Sequence, residues 1–523
     1  MTVGSVVKRY GTMASAMLLA GTAGAPLIAG AAVAQDKNPT FNLLAVPKQD
    51  AATPVARDIY MAAGFGNSFM IKTSDGPVII DTSIEVLAPK HKALLSKVDA
   101  RVPGYIFLTH AHEDHTGGLP LWKGPNTHVV QHAEAVEQMN YQQRLSGFFQ
   151  RRNAAQFGFD LTRLPPAEDK GNFGATIPAD ILVTGDRSFR IGGLTFAVMA
   201  TPSETPDAMS IWIPERKAVF VGDLYYPSFP NLYTLRGNKP RWPLDYVASL
   251  DRILKLDAEV LIPSHGPPVK GAANVRATLT KYRDAILYVH DAVVKGMNAG
   301  RTVDQLVDEI ALPDALKLPE LYGTVRWSVR GIYNGYVGWF DGDAATMVGA
   351  GLDHASKDLV ALAGGPKAVV AQGVKRADAG EWQAALALAD AALAVAPDDA
   401  GALTLRAKIF AALKAKSDNA IEIGWLNAGI KDAEQRMAAT GAAPRPATTA
   451  ALTLDTPIET LMADPRGKAV LESVMPTLAQ HPMFDTFKSM SLRELQPMSK
   501  GMITDAVLAK VEAGLKAGAN GGR

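Results

Sequence analysis

The sequence predicts an α/β protein in which a sheet sandwich with flanking helices is followed by an all-helical region. Three observations carry this. From Ile59 to about Val269, short apolar and β-branched runs alternate with helical stretches and are punctuated by Gly, Pro and Asp. After His265 the strand-like runs largely stop and longer helical periodicities take over. Acidic and His residues recur just beyond the ends of the strand-like runs, as a site built along one edge of a sandwich requires.

At 523 residues the chain is too long for one ordinary domain and suggests two or three. Its 53 Lys and Arg against 52 Asp and Glu leave a formal net charge of +1, so no overall field favours nucleic acid or an acidic membrane surface as a partner. The absence of cysteine excludes disulfides, thiolate ligands and a cysteine nucleophile. His and carboxylate are left as ligands for a transition metal, zinc first.

The chain begins with Lys8 and Arg9, then an apolar stretch from about Met13 that ends in Ala32-Val33-Ala34 before Gln35. This reads as a signal peptide over residues 1–34 with an A-x-A-type cleavage site. Gly21, Gly24, Pro26 and Gly30 would make that stretch a poor membrane anchor. Cleavage and a periplasmic or secreted location are therefore expected. No later stretch has the ~18 consecutive apolar residues needed to span a bilayer, so no transmembrane segment is expected in the mature chain.

The elements follow in order. Gly66-Asn-Ser-Phe-Met-Ile-Lys72 and Gly76-Pro-Val-Ile-Ile-Asp81 form a hairpin whose second strand ends in a carboxylate. Gly104-Tyr-Ile-Phe-Leu108 reads as a buried strand and runs into Thr109-His110-Ala-His112-Glu-Asp114-His115-Thr-Gly-Gly118. The chain has only 10 His, so three of them within this one segment is not compositional noise. His110 and His112 could reach one ion from an irregular loop, while Asp114 and His115 project elsewhere and could serve a second. A surface cluster of imidazoles without metal is the competing explanation. Gly193–Ala200 and Ala218–Gly222 read as further strands. One loop cannot close two metal sites, and three later strand ends offer more ligands: Thr201-Pro-Ser-Glu204, Val221-Gly-Asp223 and Ile262-Pro-Ser-His265.

The helical patterns span 274–299, 302–310 and 324–339, the last rich in aromatics and Arg. Residues 380–397 and 400–413 resemble one tetratricopeptide-type helix pair, too short to form a solenoid alone. Residues 441–450 are a linker by composition. Residues 452–515 carry two or three short helical patterns before a Gly-rich tail.

The His110-Ala-His112-Glu-Asp114-His115 signature, followed by those three junctions, resembles the metallo-β-lactamase superfamily. The resemblance implies an αββα sandwich with a two-metal hydrolytic site. His110, His112 and Glu204 would bind the first zinc and Asp114, His115 and His265 the second, with Asp223 bridging and Asp81 supporting the metal loop from behind. Glu204, where most of the superfamily has His, is similar to the bacterial alkyl sulfatases. They share Asn231-Leu-Tyr-Thr-Leu-Arg-Gly237, and the segment from Tyr322-Gly-Thr-Val325 through Arg330 and Tyr333 to Gly338-Trp-Phe-Asp-Gly342 looks like theirs. The likeness covers roughly residues 45–435. It implies a catalytic domain over 45–270 and a helical dimerisation domain over 271–435; the signal peptide over 1–34, the linker 441–450 and a helical appendage over 451–523 are read from the residues alone.

The resemblance implies a homodimeric hydrolase with two zinc ions per subunit, which the signal peptide would export. A metal-bridging hydroxide would cleave alkyl sulfate esters to alcohol and inorganic sulfate. The substrate would be a small anionic ester with an apolar tail. Asp114, Asp223 and Arg236 would be catalytic, and Asn231, Tyr233, Arg236 and Trp327 would contact substrate. Arg236 suits a tetrahedral oxyanion because its planar fork binds in a bidentate manner. Trp327, Trp339 and Phe340 either line the apolar side of the pocket or belong to the core. The match departs from the alkyl sulfatases at Asp223, where they carry Glu, and at Trp327-Ser328, where they carry His-Asn. Their sterol-carrier-like domain has no evident counterpart beyond residue 450. A lactone, a neutral ester or a phosphoester would use the same centre, and a non-catalytic binding protein is a third reading.

Overall fold

The computed structural model describes residues 47–157, 179–342, 344–347, 355–439, 452–480 and most of 484–520. The expected signal peptide and the 441–450 linker lie outside the described residues.

The first sheet runs in chain order as β1 (Thr53–Ala56), β2 (Ile59–Ala62), β3 (Ser68–Thr73), β4 (Gly76–Ile80), β5 (Tyr105–Phe107), β6 (His128–His132) and β7 (Ile181–Val183). β1 to β4 pair antiparallel, and β4 to β7 pair parallel. Parallel neighbours need crossovers. These contain α1 (Ala88–Ser96), then the short α2 (Glu113–Thr116) and α3 (Leu119–Trp122), then α4 (Glu134–Arg144) and α5 (Ser146–Phe157). The second sheet holds β8 (Arg187–Ile191), β9 (Leu194–Ala200), β10 (Met209–Ile213), β11 (Ala218–Gly222), β12 (Val260–Pro263) and β13 (Val269–Lys270), also in sequential order. Its parallel step, β11 to β12, is crossed by α6 (Pro243–Leu254).

Three apolar layers result. Ile59, Phe69, Ile71, Val78, Ile80 and Phe107 of the first sheet meet Phe196, Val198, Ile211, Phe220 and Ile262 of the second in the central layer. Met70, Ile79, Ile106 and Val129 point the other way, onto Leu94 and Leu95 of α1 and Leu119 and Trp122 of α3. β4 is buried on both faces, which is why Gly76-Pro-Val-Ile-Ile is continuously apolar rather than alternating. Outside the second sheet, Val219, Val221 and Leu261 pack on Tyr246, Leu250 and Ile253 of α6. The same cluster takes in Leu279, Tyr282 and Ile286 of α7 (Ala272–Asn298). This is the expected αββα sandwich.

The helical region continues with α8 (Val303–Glu309), α9 (Val325–Val337), α10 (Ala344–Met347), α11 (Ser356–Leu362), α12 (Pro366–Asp378), α13 (Trp382–Val395), α14 (Ala400–Lys414) and α15 (Ala420–Ala439). Val325, Val329 and Ile332 of α9 join the cluster that covers the second sheet, so one core runs through residue 270. Thr302 caps α8 in a reciprocal capping box with Gln305. Among its described residues the C-terminal part has five α-helices rather than two or three: α16 (Ile458–Ala463), α17 (Pro465–Val474), α18 (Phe484–Phe487), α19 (Leu492–Leu495) and α20 (Asp505–Asn520). Two of them are single turns, too short to leave a periodic signal, and Leu461, Leu471, Leu492 and Val511 among others give this part a core of its own. No helix among the described residues is long and apolar enough to cross a membrane.

Gly66, between β2 and β3, has φ of 71°, and a Cβ there would overlap the Asp114 carbonyl oxygen. Backbone here must pass directly over the His-rich loop. Gly66→Ala is expected to cost roughly 2–4 kcal/mol from left-handed strain plus overpacking. Urea unfolding checks it, and a change below about 0.5 kcal/mol would contradict this close approach.

Candidate metal centre

The site is assembled from strand ends. β4 ends in Asp81, β5 runs into Thr109 and the His loop, β11 into Asp223 and β12 into Ser264 and His265. Asp81 is fully buried. Its Oδ1 accepts from the Thr109 amide at 2.8 Å, and its Oδ2 accepts from Thr109 Oγ1 at 2.8 Å and Ser264 Oγ at 2.7 Å. The same Oδ2 lies 2.9 Å from His115 Nδ1. That contact fixes the imidazole with Nε2 turned inward, toward the carboxylates of Asp114 and Asp223. A carboxylate behind a histidine is how metal-ligating imidazoles are oriented.

The donors fall into two groups: His110, His112 and Asp223 in one, and Asp114, His115 and His265 in the other. Nε2 of His110 and Nδ1 of His112 converge to 2.8 Å. Asp223 faces both groups. Its Oδ2 is 3.7 Å from His110 Nε2, while its Oδ1 is 3.5 Å from His115 Nε2 and 3.4 Å from His265 Nε2. Asp114 Oδ2 stands 3.2 Å from His265 Nε2 and 3.5 Å from His115 Nε2. The second group thus draws two ligands from one loop and one from a strand end about 150 residues later.

The electrostatics show what the cluster demands. Burial alone would push His265 down, but Asp223 and Asp114 beside it push it up to about 10. His115 is likewise raised against its own burial, by Asp223, Asp114 and Asp81. Burial takes His110 down to about 4, and His112 falls well below its ordinary value. The carboxylates therefore require positive charge at the second group, while the first pair of imidazoles is neutral and ready to ligate. Divalent ions meet both conditions. The donor set, imidazole nitrogens and carboxylate oxygens alone, fits ions that prefer nitrogen and oxygen.

Glu204 is buried beside this cluster but outside both tight donor groups. Its Oε1 is 2.5 Å from an Arg241 guanidinium nitrogen, and its Oε2 has no partner. Burial raises its carboxyl to about 7. Glu204, Arg236 and Arg241 line a cavity of about 350 Å³ that opens beside His112, together with Gln138, Tyr141 and Gln142 of α4 and Trp242. An Arg236 guanidinium nitrogen is 3.2 Å from His112 Nε2. Among the described residues no carboxylate pairs with Arg236.

Three expected substrate residues lie elsewhere. Asn231 is buried and does not line this cavity; its carbonyl accepts from Arg241 at 2.6 Å. Tyr233 packs against Gly331 of α9, at a smaller cavity of about 130 Å³. Trp327 belongs to an aromatic cluster with Tyr226, Tyr322, Phe65 and Trp425, because Thr324 caps α9 and turns position 327 inward. Trp339 and Phe340 do not line the cavity either, and Trp339 is 75% exposed. The sequence reading missed Arg241, Gln138 and Gln142, and also Arg152 and Gln156 of α5. Gln156 Oε1 accepts from the Arg236 amide at 2.9 Å and Arg152 Nε donates to the Arg236 carbonyl at 2.7 Å. The one available signal was Gln138 and Gln142 at i, i+4 on the buried face of α4, where an apolar pair would be ordinary.

Two expectations follow from the charge arrangement. Because His115 and His265 hold protons that a metal must displace, zinc uptake by metal-free protein at pH 7 should release about two protons. Calorimetry in buffers of different ionisation enthalpy reads this directly, and buffer-independent heats would contradict it. Asp81→Ala should weaken metal affinity by roughly 10–100-fold by freeing His115, measured by competition with a chromophoric chelator.

With this geometry in hand, comparisons with known proteins are informative. Residues 61–265 match the metallo-β-lactamase superfamily and residues 302–435 match alkyl sulfatase dimerisation. A linear primary-alkylsulfatase of a Pseudomonas strain is 33% identical over 384 residues, covering 68% of this chain and 71% of that protein. An (R)-specific secondary-alkylsulfatase of Pseudomonas is 26% identical, covering 71% of this chain and 60% of that one. The alkyl/aryl-sulfatase of Saccharomyces cerevisiae is 24% identical over 63% of this chain and 55% of its own length. The last two matches therefore span little more than half of those relatives. Among solved structures, the stereoselective inverting sec-alkylsulfatase Pisa1 from Pseudomonas superposes with a TM-score of 0.66 at 24% identity, covering 79% of this chain and 70% of that one. That likeness is one of fold.

Proposed function

Because the chain belongs to the alkyl sulfatase family within the metallo-β-lactamase superfamily, we propose that it is a dinuclear zinc hydrolase that cleaves alkyl sulfate esters to an alcohol and inorganic sulfate. The observation that carries this reading is Arg236, a half-buried guanidinium without a carboxylate partner among the described residues, held beside His112 at the wall of the cavity. A half-buried guanidinium turned into a cavity with no carboxylate against it is placed to meet an anion. The ester's sulfate group is such an anion.

His110, His112 and Glu204 would hold one ion and Asp114, His115 and His265 the other, with Asp223 between them. Bound there, divalent ions would lower the pKa of a coordinated water and polarise the sulfate oxygens. The chain's own residues do the rest. Asp81 keeps His115 in one tautomer, with Nε2 inward. Gln156 and Arg152 clamp the backbone of Arg236 on both sides, so its fork meets the head group without a conformational search. Tyr141, Phe149 and Trp242 give the same cavity an apolar wall for the organic part of the ester.

Export through a signal peptide over residues 1–34 belongs to the same proposal. So does a homodimer. The match to alkyl sulfatase dimerisation supports it, and exposed Trp339, Leu359 and Leu362 offer apolar surface in that region. A phosphoester, lactone or neutral ester is the alternative substrate class, and the departures at Asp223 and Trp327 favour testing it in parallel.

Purified protein is expected to release inorganic sulfate from dodecyl sulfate, to lose that activity with chelator and to regain it with zinc. Metal-dependent cleavage of a lactone or phosphodiester without sulfate release would replace the substrate assignment. Arg236→Ala should keep its zinc and lose roughly 10–100-fold in kcat/KM for sulfate esters, the value of one buried charge-assisted contact. Equal loss with a neutral ester would contradict the role given to Arg236.

A further inference from the structure

Arg241 and Glu204 form an ion pair whose side chains are only 2% and 4% exposed. Such pairs seldom add stability, since desolvation offsets their attraction, so a buried pair at a site calls for another explanation. One Arg241 nitrogen, Nη1, serves two acceptors: Glu204 Oε1 at 2.5 Å and the Asn231 carbonyl at 2.6 Å. Both of its hydrogens are thereby used and the guanidinium plane is fixed. Asn231 is itself fixed, because its amide donates to the Tyr226 hydroxyl at 2.6 Å. The result is a rigid relay from β11's far loop to Glu204.

This relay holds one oxygen of Glu204 and leaves the other. Oε2 is buried and has no hydrogen-bond partner. Buried polar atoms are almost always paired, so a buried carboxylate oxygen with no donor against it, beside a cluster of imidazoles, calls for a cation. Glu204 and Arg241 line the same cavity as His112. We propose that Arg241 is a positioning residue for the metal centre: it grips Glu204 by Oε1 so that Oε2 completes the ion held by His110 and His112. The inference rests on the zinc-hydrolase reading above and adds the residue through which the Arg236-bearing loop is tied to a metal ligand.

The test is zinc binding by the full-length protein, measured by competition with a chromophoric chelator alongside the thermal midpoint. Arg241→Gln is expected to weaken one of two zinc sites by roughly 10–100-fold, as loss of a ligand-orienting partner does, while leaving the other unchanged. Glu204→Gln should weaken the same site, and the double variant Glu204→Gln/Arg241→Gln should be no weaker than Glu204→Gln alone. The double variant removes both charges, so neither is left buried and unpaired if Arg241→Gln alone fails to fold. Unchanged zinc affinity in Arg241→Gln would overturn the proposal, as would a further tenfold loss on adding it to Glu204→Gln, since Arg241 would then act independently of Glu204. If the unaltered protein bound no zinc, the zinc-hydrolase reading would fall with it; two tight ions in both the unaltered protein and Arg241→Gln would remove this inference alone.

Discussion

The buried carboxylate of Asp81 is the constraint on which the site depends. It stands at the end of β4 and binds groups from two other strand ends, Thr109 after β5 and Ser264 after β12, as well as the ring of His115. Those strands belong to different sheets. One side chain therefore sets the spacing of the two sheets at the edge where the ligands emerge, and fixes the orientation of one ligand at the same time. A buried carboxylate can be kept only if its lone pairs are used, and here Oδ2 alone serves three partners.

From that anchor the charge balance follows. Asp81, Asp114 and Asp223 lie within one buried cluster of imidazoles, and their field raises His115 and His265 while burial lowers His110 and His112. Four similar side chains are thus divided into two kinds by position alone. The division coincides with the two donor groups, the imidazoles of one neutral and those of the other held positive by the carboxylates around them.

The rest of the molecule positions a second layer of charge around this centre. The loop that carries Arg236 is tied to α5 by Gln156 and Arg152, and α5 packs against α15 closely enough that a Cβ at Gly424 would collide with the Gln156 backbone. Helices more than 400 residues along the chain thereby bear on a loop beside the metal site. The continuous core through α6, α7 and α9 makes the same link on the other face. The helical region is part of what holds the site together, besides any role in assembly.

How much of this was legible in the sequence depended on how local its cause is. The strand ends at Asp81, His110, Asp223 and His265 were readable because each follows an apolar run broken by polar residues, and spacing within the His loop already separates its two pairs of ligands. Long helices such as α7 and α9 were readable for the same reason, whereas the one-turn helices α18 and α19 left no period to read. The partners were not. Tyr233 and Trp327 lie in the expected segments but do not line the cavity, because Trp327 packs into an aromatic cluster and Tyr233 against Gly331. Arg241, Gln138 and Gln142 reach the cavity from segments with no motif at all. Sequence by itself determined the candidate ligand types and, through the resemblance its motifs carry, the layered fold, since a motif and its spacing are local to the chain. Only the tertiary structure decided which cation meets which carboxylate, because that is set by how two sheets and three helices converge, a distance that no local pattern encodes.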